Sequence, residues 1–100
     1  MEKKRLELPI QDIVAFCRRY PVRELLLFGS ALGPEFGPDS DLDFLVEFEP
    51  EAQVGFLMLS RMQRELAAIV QRQVDLVPKS GLKPRIRQAV LANARPIYAS

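Results

Sequence analysis

Three aspartates and one Gly-Ser pair are the residues of this sequence best suited to chemistry. Asp41 and Asp43 stand two residues apart in Asp41-Leu42-Asp43-Phe44-Leu45-Val46-Glu47-Phe48, a stretch that reads as a β-strand. Aspartate is depleted in strands, so two of them at the start of one need a reason. At that spacing both side chains point to the same face, roughly 6.6 Å apart along the strand. Like charges so placed repel, and a bound cation relieves the repulsion. A solvated strand end or a turn cap is the plain alternative for an isolated Asp-x-Asp. Asp75 lies in Val74-Asp75-Leu76-Val77, a very short apolar strand stopped by Pro78. In a buried strand its carboxylate is costly to ionise unless paired, hydrogen-bonded or metal-bound. A hydrogen-bonded structural aspartate, or one facing water from an edge strand, is the competing reading. Gly29-Ser30 ends the apolar run Val22–Phe28 and is expected to open a short helix. A small pair at such a turn can present backbone N–H groups and a hydroxyl to a phosphate, although Gly-Ser is also a common plain turn.

Other chemistries are excluded by composition. The sequence contains no histidine, which rules out a Ser-His-Asp triad, a Cys-His pair and histidine-ligated zinc. Its single cysteine, Cys17, cannot form an internal disulfide, and it falls on a helical apolar stripe where a small buried hydrophobe is expected. Reaction chemistry is left to carboxylates, hydroxyls, amines and bound metals. The first ten residues lack the apolar core of a signal peptide and no apolar run approaches a membrane span, so a cytoplasmic protein is expected. The net charge of +1 gives no electrostatic argument for nucleic acid or membrane binding. The charge is nonetheless segregated. Asp39, Asp41, Asp43, Glu47, Glu49 and Glu51 crowd one segment, and the chain beyond it is predominantly basic.

The elements that must position these residues follow from periodicity. With 100 residues, 48% of them apolar, residues 1–100 are expected to form one domain with a true core. Ile10, Ile13, Val14 and Cys17 mark a first helix, started by Pro9 and stopped by Pro21. Val22–Phe28 predicts a strand buried on both faces. Gly33, Pro34, Gly37 and Pro38 make a loop, and the Asp-x-Asp strand comes next. Residues 52–73 contain the longest helix, with Phe56, Leu59, Met62, Leu66, Ile69 and Val70 inward and Arg72 on the polar side. The strand around Asp75 is followed by a last helix on Leu82, Ile86, Ala89 and Val90, and residues 96–99 can dock as a short strand.

In this order, Phe28-Gly29-Ser30-Ala31-Leu32, Asp39-Ser40-Asp41-Leu42-Asp43 and Val74-Asp75-Leu76-Val77 resemble the minimal nucleotidyltransferases of the polymerase-beta-like superfamily. The resemblance implies an α/β fold with a small mixed β-sheet backed by helices. It implies transfer of a nucleoside monophosphate, AMP from ATP, to an acceptor hydroxyl. Asp41 and Asp43 would bind two Mg²⁺ ions, Asp75 would ligate the metal at the acceptor and assist its deprotonation, and Gly29 and Ser30 would grip the triphosphate. Minimal members of the family often act as antitoxins that add AMP to a tyrosine of a HEPN-type toxin, which makes such a toxin the expected partner. One departure stands out: many relatives carry an arginine shortly after the Gly-Ser pair, and here the position is Gly33. Arg23, Lys79 and Lys83 are candidates to replace that phosphate clamp. The alternative is a catalytically weak or inactive nucleotide-binding module that neutralises its partner by contact alone.

Overall fold

Two apolar runs, β1 (Val22–Phe28) and β2 (Leu42–Phe48), pair antiparallel and form the centre of a four-stranded sheet. The structure is a computed structural model that describes residues 8–29, 37 and 40–100. Helix α1 (Ile10–Arg18) precedes β1, and α2 (Phe56–Val70) connects β2 to β3 (Val74–Pro78). A single 3-10 turn at Lys79–Gly81, α3 (Pro84–Asn93) and β4 (Arg95–Ala99) complete the described chain. The sheet order is β3-β2-β1-β4, with β3 parallel to β2 and β4 antiparallel to β1. A parallel neighbour requires a crossover, and α2 supplies it. The mixed sheet backed by helices is therefore as expected.

Both central strands bury both faces. On one, Leu25, Leu27, Leu42, Phe44, Val46, Val74 and Leu76 pack with Ile13, Phe16 and Cys17 of α1 and with Met62 and Leu66 of α2. On the other, Leu26 and Leu45 pack with Leu82, backed by Val90 and Leu91 of α3. The alternation of strand side chains thus assigns α1 and α2 to one side and α3 to the other.

Several boundaries differ from expectation for identifiable reasons. Pro9 sits at the N-cap of α1 rather than inside its first turn. Phe16 is fully buried while Ile10 is half exposed, so the inward stripe of α1 is rotated toward Ile13, Phe16 and Cys17. Helix α2 begins after Gly55, and Phe56 in its first turn is 78% exposed rather than inward. It ends at Val70 because Gln71 adopts the left-handed conformation (φ 58°, ψ 42°), a common helix stop. Arg72 is consequently outside the helix, not on its polar face. β4 begins at Arg95, one residue earlier than expected.

Two polar side chains of α2, Glu65 and Gln63, tie it to its surroundings. Tyr20 Oη donates to Glu65 Oε1 at 2.6 Å, and Arg19 pairs with the same carboxylate. At the sheet's edge the Leu76 N–H donates to Gln63 Oε1 at 2.9 Å. Cys17 is completely buried, and burial pushes its thiol up to about 12 from 9.0. Iodoacetamide at pH 8 is therefore expected to leave the native thiol unmodified and to alkylate it only on unfolding, read by intact mass. The folded thiol keeps its proton where the unfolded one has lost it, so denaturant midpoints should decline as pH rises above about 9.

Candidate active site

Strand β2 carries the central carboxylate, and its two neighbours supply what lies beside it. In the register, Asp43 is opposite Phe28 of β1 on one side and opposite Asp75 of β3 on the other. Residues directly opposite in adjacent strands project to the same face, and neighbouring strands lie about 4.8 Å apart. Asp43 and Asp75 are thus side by side. They are in phase with Leu45 and Val77, so they occupy the α3 side of the sheet, at the end where β2 and β3 begin. Asp43 is partly buried and Asp75 is exposed. The exposure of Asp75 corrects the expectation of a buried strand. β3 is an edge strand, its carboxylate reaches water, and the desolvation argument does not apply to it.

Asp41 lies one residue ahead of β2, exposed, rather than inside the strand. It is nonetheless held from behind: the following amide, Leu42 N–H, donates to the Gln73 carbonyl at 3.0 Å, just before β3 begins.

Gly29 meets Asp43 from the other side. Its φ of +82° lies in the region that side chains disfavour, and a Cβ placed there would be 2.3 Å from Asp43 Oδ2. Only a glycine lets the turn after β1 run this close to the carboxylate. The Gly-Ser motif and the Asp-x-Asp motif are therefore in contact through Gly29, while Ser30, Gly33 and Asp39 lie outside the described residues.

Three carboxylates offer hard oxygen donors of the kind Mg²⁺ prefers. Among the described residues, no group of three His, Cys, Asp or Glu side chains is placed to hold a metal ion by itself. Mg²⁺ in general keeps waters and takes substrate phosphates to fill its shell.

The basic candidates are distributed unequally. Lys79 Nζ lies 3.4 Å from Glu47 and 3.7 Å from Glu24, and Lys79 follows the end of β3, four residues beyond Asp75. Arg23 is at the opposite end of β1 from Gly29, and Lys83 precedes α3. Arg95, not singled out from sequence as a clamp, pairs with Leu27 and lies at the end of β1 that leads to Gly29. A cavity of about 670 Å³ lined by Val46, Phe48, Lys79 and Arg87 occupies the far ends of β2 and β3 and includes none of the three aspartates.

The residue that sequence reasoning passed over is Arg72. Its Nη1 donates to the carbonyls of Gly37 (3.0 Å) and Ser40 (2.9 Å), immediately before Asp41. An arginine near the end of an amphipathic helix reads as solvated, and nothing in its spacing signals otherwise.

With this arrangement established, the relationships are informative. A family model described as a nucleotidyltransferase domain matches residues 13–97. The protein adenylyltransferase MntA of Thermococcus cleftensis is 41% identical over 73 residues, spanning 73% of this chain and 72% of that relative. A solved candidate minimal nucleotidyltransferase superposes with a TM-score of 0.73 at 34% identity over 87% of each chain. A toxin-antitoxin structure with AMP-PNP gives 0.76 at 20% identity, covering 93% of this chain and 75% of that one. The fold is that of the polymerase-beta-like nucleotidyltransferases, and the chain belongs to the nucleotidyltransferase-domain family.

Two substitutions separate site geometry from fold. Gly29→Ala forces either the turn or the Asp43 carboxylate to move, so nucleotidyl transfer should fall at least about tenfold, and stability should drop by about 1 kcal/mol or more. Asp75→Asn, on an exposed side chain, should leave the thermal midpoint nearly unchanged while transfer is lost.

Proposed function

We propose that the chain is a metal-dependent protein adenylyltransferase that moves AMP from ATP to a tyrosine hydroxyl of a HEPN-type toxin, acting as a cytoplasmic, single-domain antitoxin. The observation that carries this reading is the placement of Asp43 between Gly29 and Asp75 at one end of the sheet. Support comes also from the 41% identical relative, named a protein adenylyltransferase, and from a neighbour with a TM-score of 0.67 at 18% identity. That neighbour is an MNT antitoxin from Shewanella oneidensis in complex with its tri-AMPylated HEPN toxin.

In this reading Asp41, Asp43 and Asp75 hold two Mg²⁺ ions, with Gly29 and Ser30 at the triphosphate. Bound there, the ions supply Lewis acidity to the attacking hydroxyl and to the departing pyrophosphate. The residues themselves orient and deprotonate. Gly29 runs close to the Asp43 carboxylate, and a turn of this kind would suit the phosphates of a bound nucleotide. Asp75, on an exposed edge strand, is reachable by a side chain of a separate protein and takes the hydroxyl proton. The acceptor oxygen bonds to the α-phosphorus, the bond from that phosphorus to the oxygen bridging the β-phosphate breaks, and pyrophosphate leaves. The product is a tyrosine carrying AMP.

Incubation with the cognate toxin, Mg²⁺ and α-labelled ATP should place the label on a toxin tyrosine, located by mass spectrometry. Asp43→Asn should remove labelling by at least about a hundredfold while thermal unfolding and complex formation persist. A toxin that binds but never becomes labelled would overturn the proposal. If the Asp41/Asp43 double asparagine variant neutralised the toxin as well as wild type, contact alone would be the mechanism, the reading that Gly33 favours.

A further inference from the structure

We propose that Arg72 is a positioning residue that sets Asp41 relative to Asp75, and so tunes the metal affinity of the site; this rests on the adenylyl-transfer reading given above. Asp41 is the least supported of the three carboxylates, since it is exposed and precedes its strand. The residues on either side of it are nonetheless both fastened to one short connection. Before it, the Ser40 carbonyl accepts from Arg72 Nη1 at 2.9 Å. After it, Leu42 N–H donates to the Gln73 carbonyl at 3.0 Å. Residues 71–73 thus grip Asp41 from both flanks, and two residues later the same connection delivers Asp75.

The grip is itself anchored at each end. On the loop side, Gly37 and Ser40 are bonded to each other: Ser40 N–H donates to the Gly37 carbonyl and Gly37 N–H donates to Ser40 Oγ, each at 3.1 Å. Arg72 Nη1 also reaches that Gly37 carbonyl at 3.0 Å, so the guanidinium joins both residues. On the helix side, the Arg72 N–H donates to the Ala67 carbonyl at 3.3 Å beside the left-handed Gln71. The backbone of Arg72 therefore belongs to the end of α2, while its side chain belongs to the approach to Asp41. Hydrogen bonds from a charged donor to carbonyls are stronger than neutral ones, and a planar guanidinium restricts their direction. Without that side chain the Leu42 bond still starts β2, but the residue ahead of Asp41 loses its tether. Asp41 then no longer keeps a fixed spacing from Asp75 and from Asp43 on β2. Divalent cation binding depends on that spacing more than unliganded folding does.

The test compares wild type, Arg72→Ala and Arg72→Lys by thermal unfolding with AMP-PNP alone and with Mg²⁺ plus AMP-PNP, and by the Mg²⁺ concentration that half-activates toxin labelling. Arg72→Ala should lose at least half of the stabilisation that Mg²⁺ adds to AMP-PNP, and its half-activating Mg²⁺ should rise at least fivefold. Arg72→Lys, which keeps a cation able to reach carbonyls, should recover part of both. A purely structural role would lower all midpoints equally and leave the Mg²⁺ requirement unchanged, which would overturn the inference. If Arg72→Ala fails to fold, Arg72→Lys decides: a twofold or greater rise in half-activating Mg²⁺ supports the inference and an unchanged value overturns it. If wild type itself gains nothing from Mg²⁺ with AMP-PNP, the adenylyl-transfer reading falls and the inference with it; a wild-type gain retained in both variants removes only the role of Arg72.

Discussion

Strand β2 is hydrogen-bonded on both sides, antiparallel to β1 and parallel to β3, and the position of every candidate catalytic group depends on that double register. Phe28, Asp43 and Asp75 form one row across three strands. Apolar burial holds the row in place. Leu42, Phe44 and Val46 face α1 and α2 while Leu45 faces α3, so sliding β2 by one residue would carry Asp43 into the main core and Phe44 out of it. Several buried side chains resist such a slip, each worth about 1.5–3 kcal/mol. The face of the sheet on which the carboxylate stands is thereby secured by hydrophobic packing.

The α3 side of the sheet handles acidity in two ways at its two ends. Glu24 and Glu47 are bridged by Lys79, a partly exposed arrangement of modest energetic value that makes the far end electrostatically quiet. At the near end Asp43 and Asp75 lie side by side with Asp41 just ahead of them, and the turn at Gly29 closes on the row. Negative charge is thus concentrated where β2 and β3 begin. A bound cation gains there, whereas Lys79, held four residues further along, is poorly placed to compete.

Most of the architecture was readable from spacing. The apolar run from Val22 to Phe28, the amphipathic stripe through Met62 and Leu66, and the prolines at positions 9, 21, 78 and 84 each mark an element or a boundary because their effects are local. The three aspartates stood out because aspartate within or at the start of a strand contradicts ordinary propensity, whereas Gly29 after a strand also reads as a plain turn. What sequence could not convey was relational. Asp75 was placed in a buried strand because its neighbours are apolar, yet burial there depends on which strand is at the edge. The exposure of Phe56 depends on where α2 begins relative to Gly55. Arg72 was assigned to a helix face because helical periodicity persists through Gln71, whose left-handed conformation has no compositional mark. The Gly37 and Ser40 oxygens that it bonds are carbonyls, which any residue supplies, so no residue type announces those two contacts.

The hydrogen bond from Leu76 to Gln63 has a consequence for how another protein can approach. An edge strand normally presents a row of open N–H groups on which a foreign strand can add. On β3, the Leu76 amide is occupied by a side chain from α2, and Pro78, two residues further, has no amide hydrogen to offer. The edge nearest Asp75 is thereby closed to sheet extension while remaining open to water. With one amide taken and one absent, this edge is less suited to adding a foreign strand than to receiving a protruding side chain.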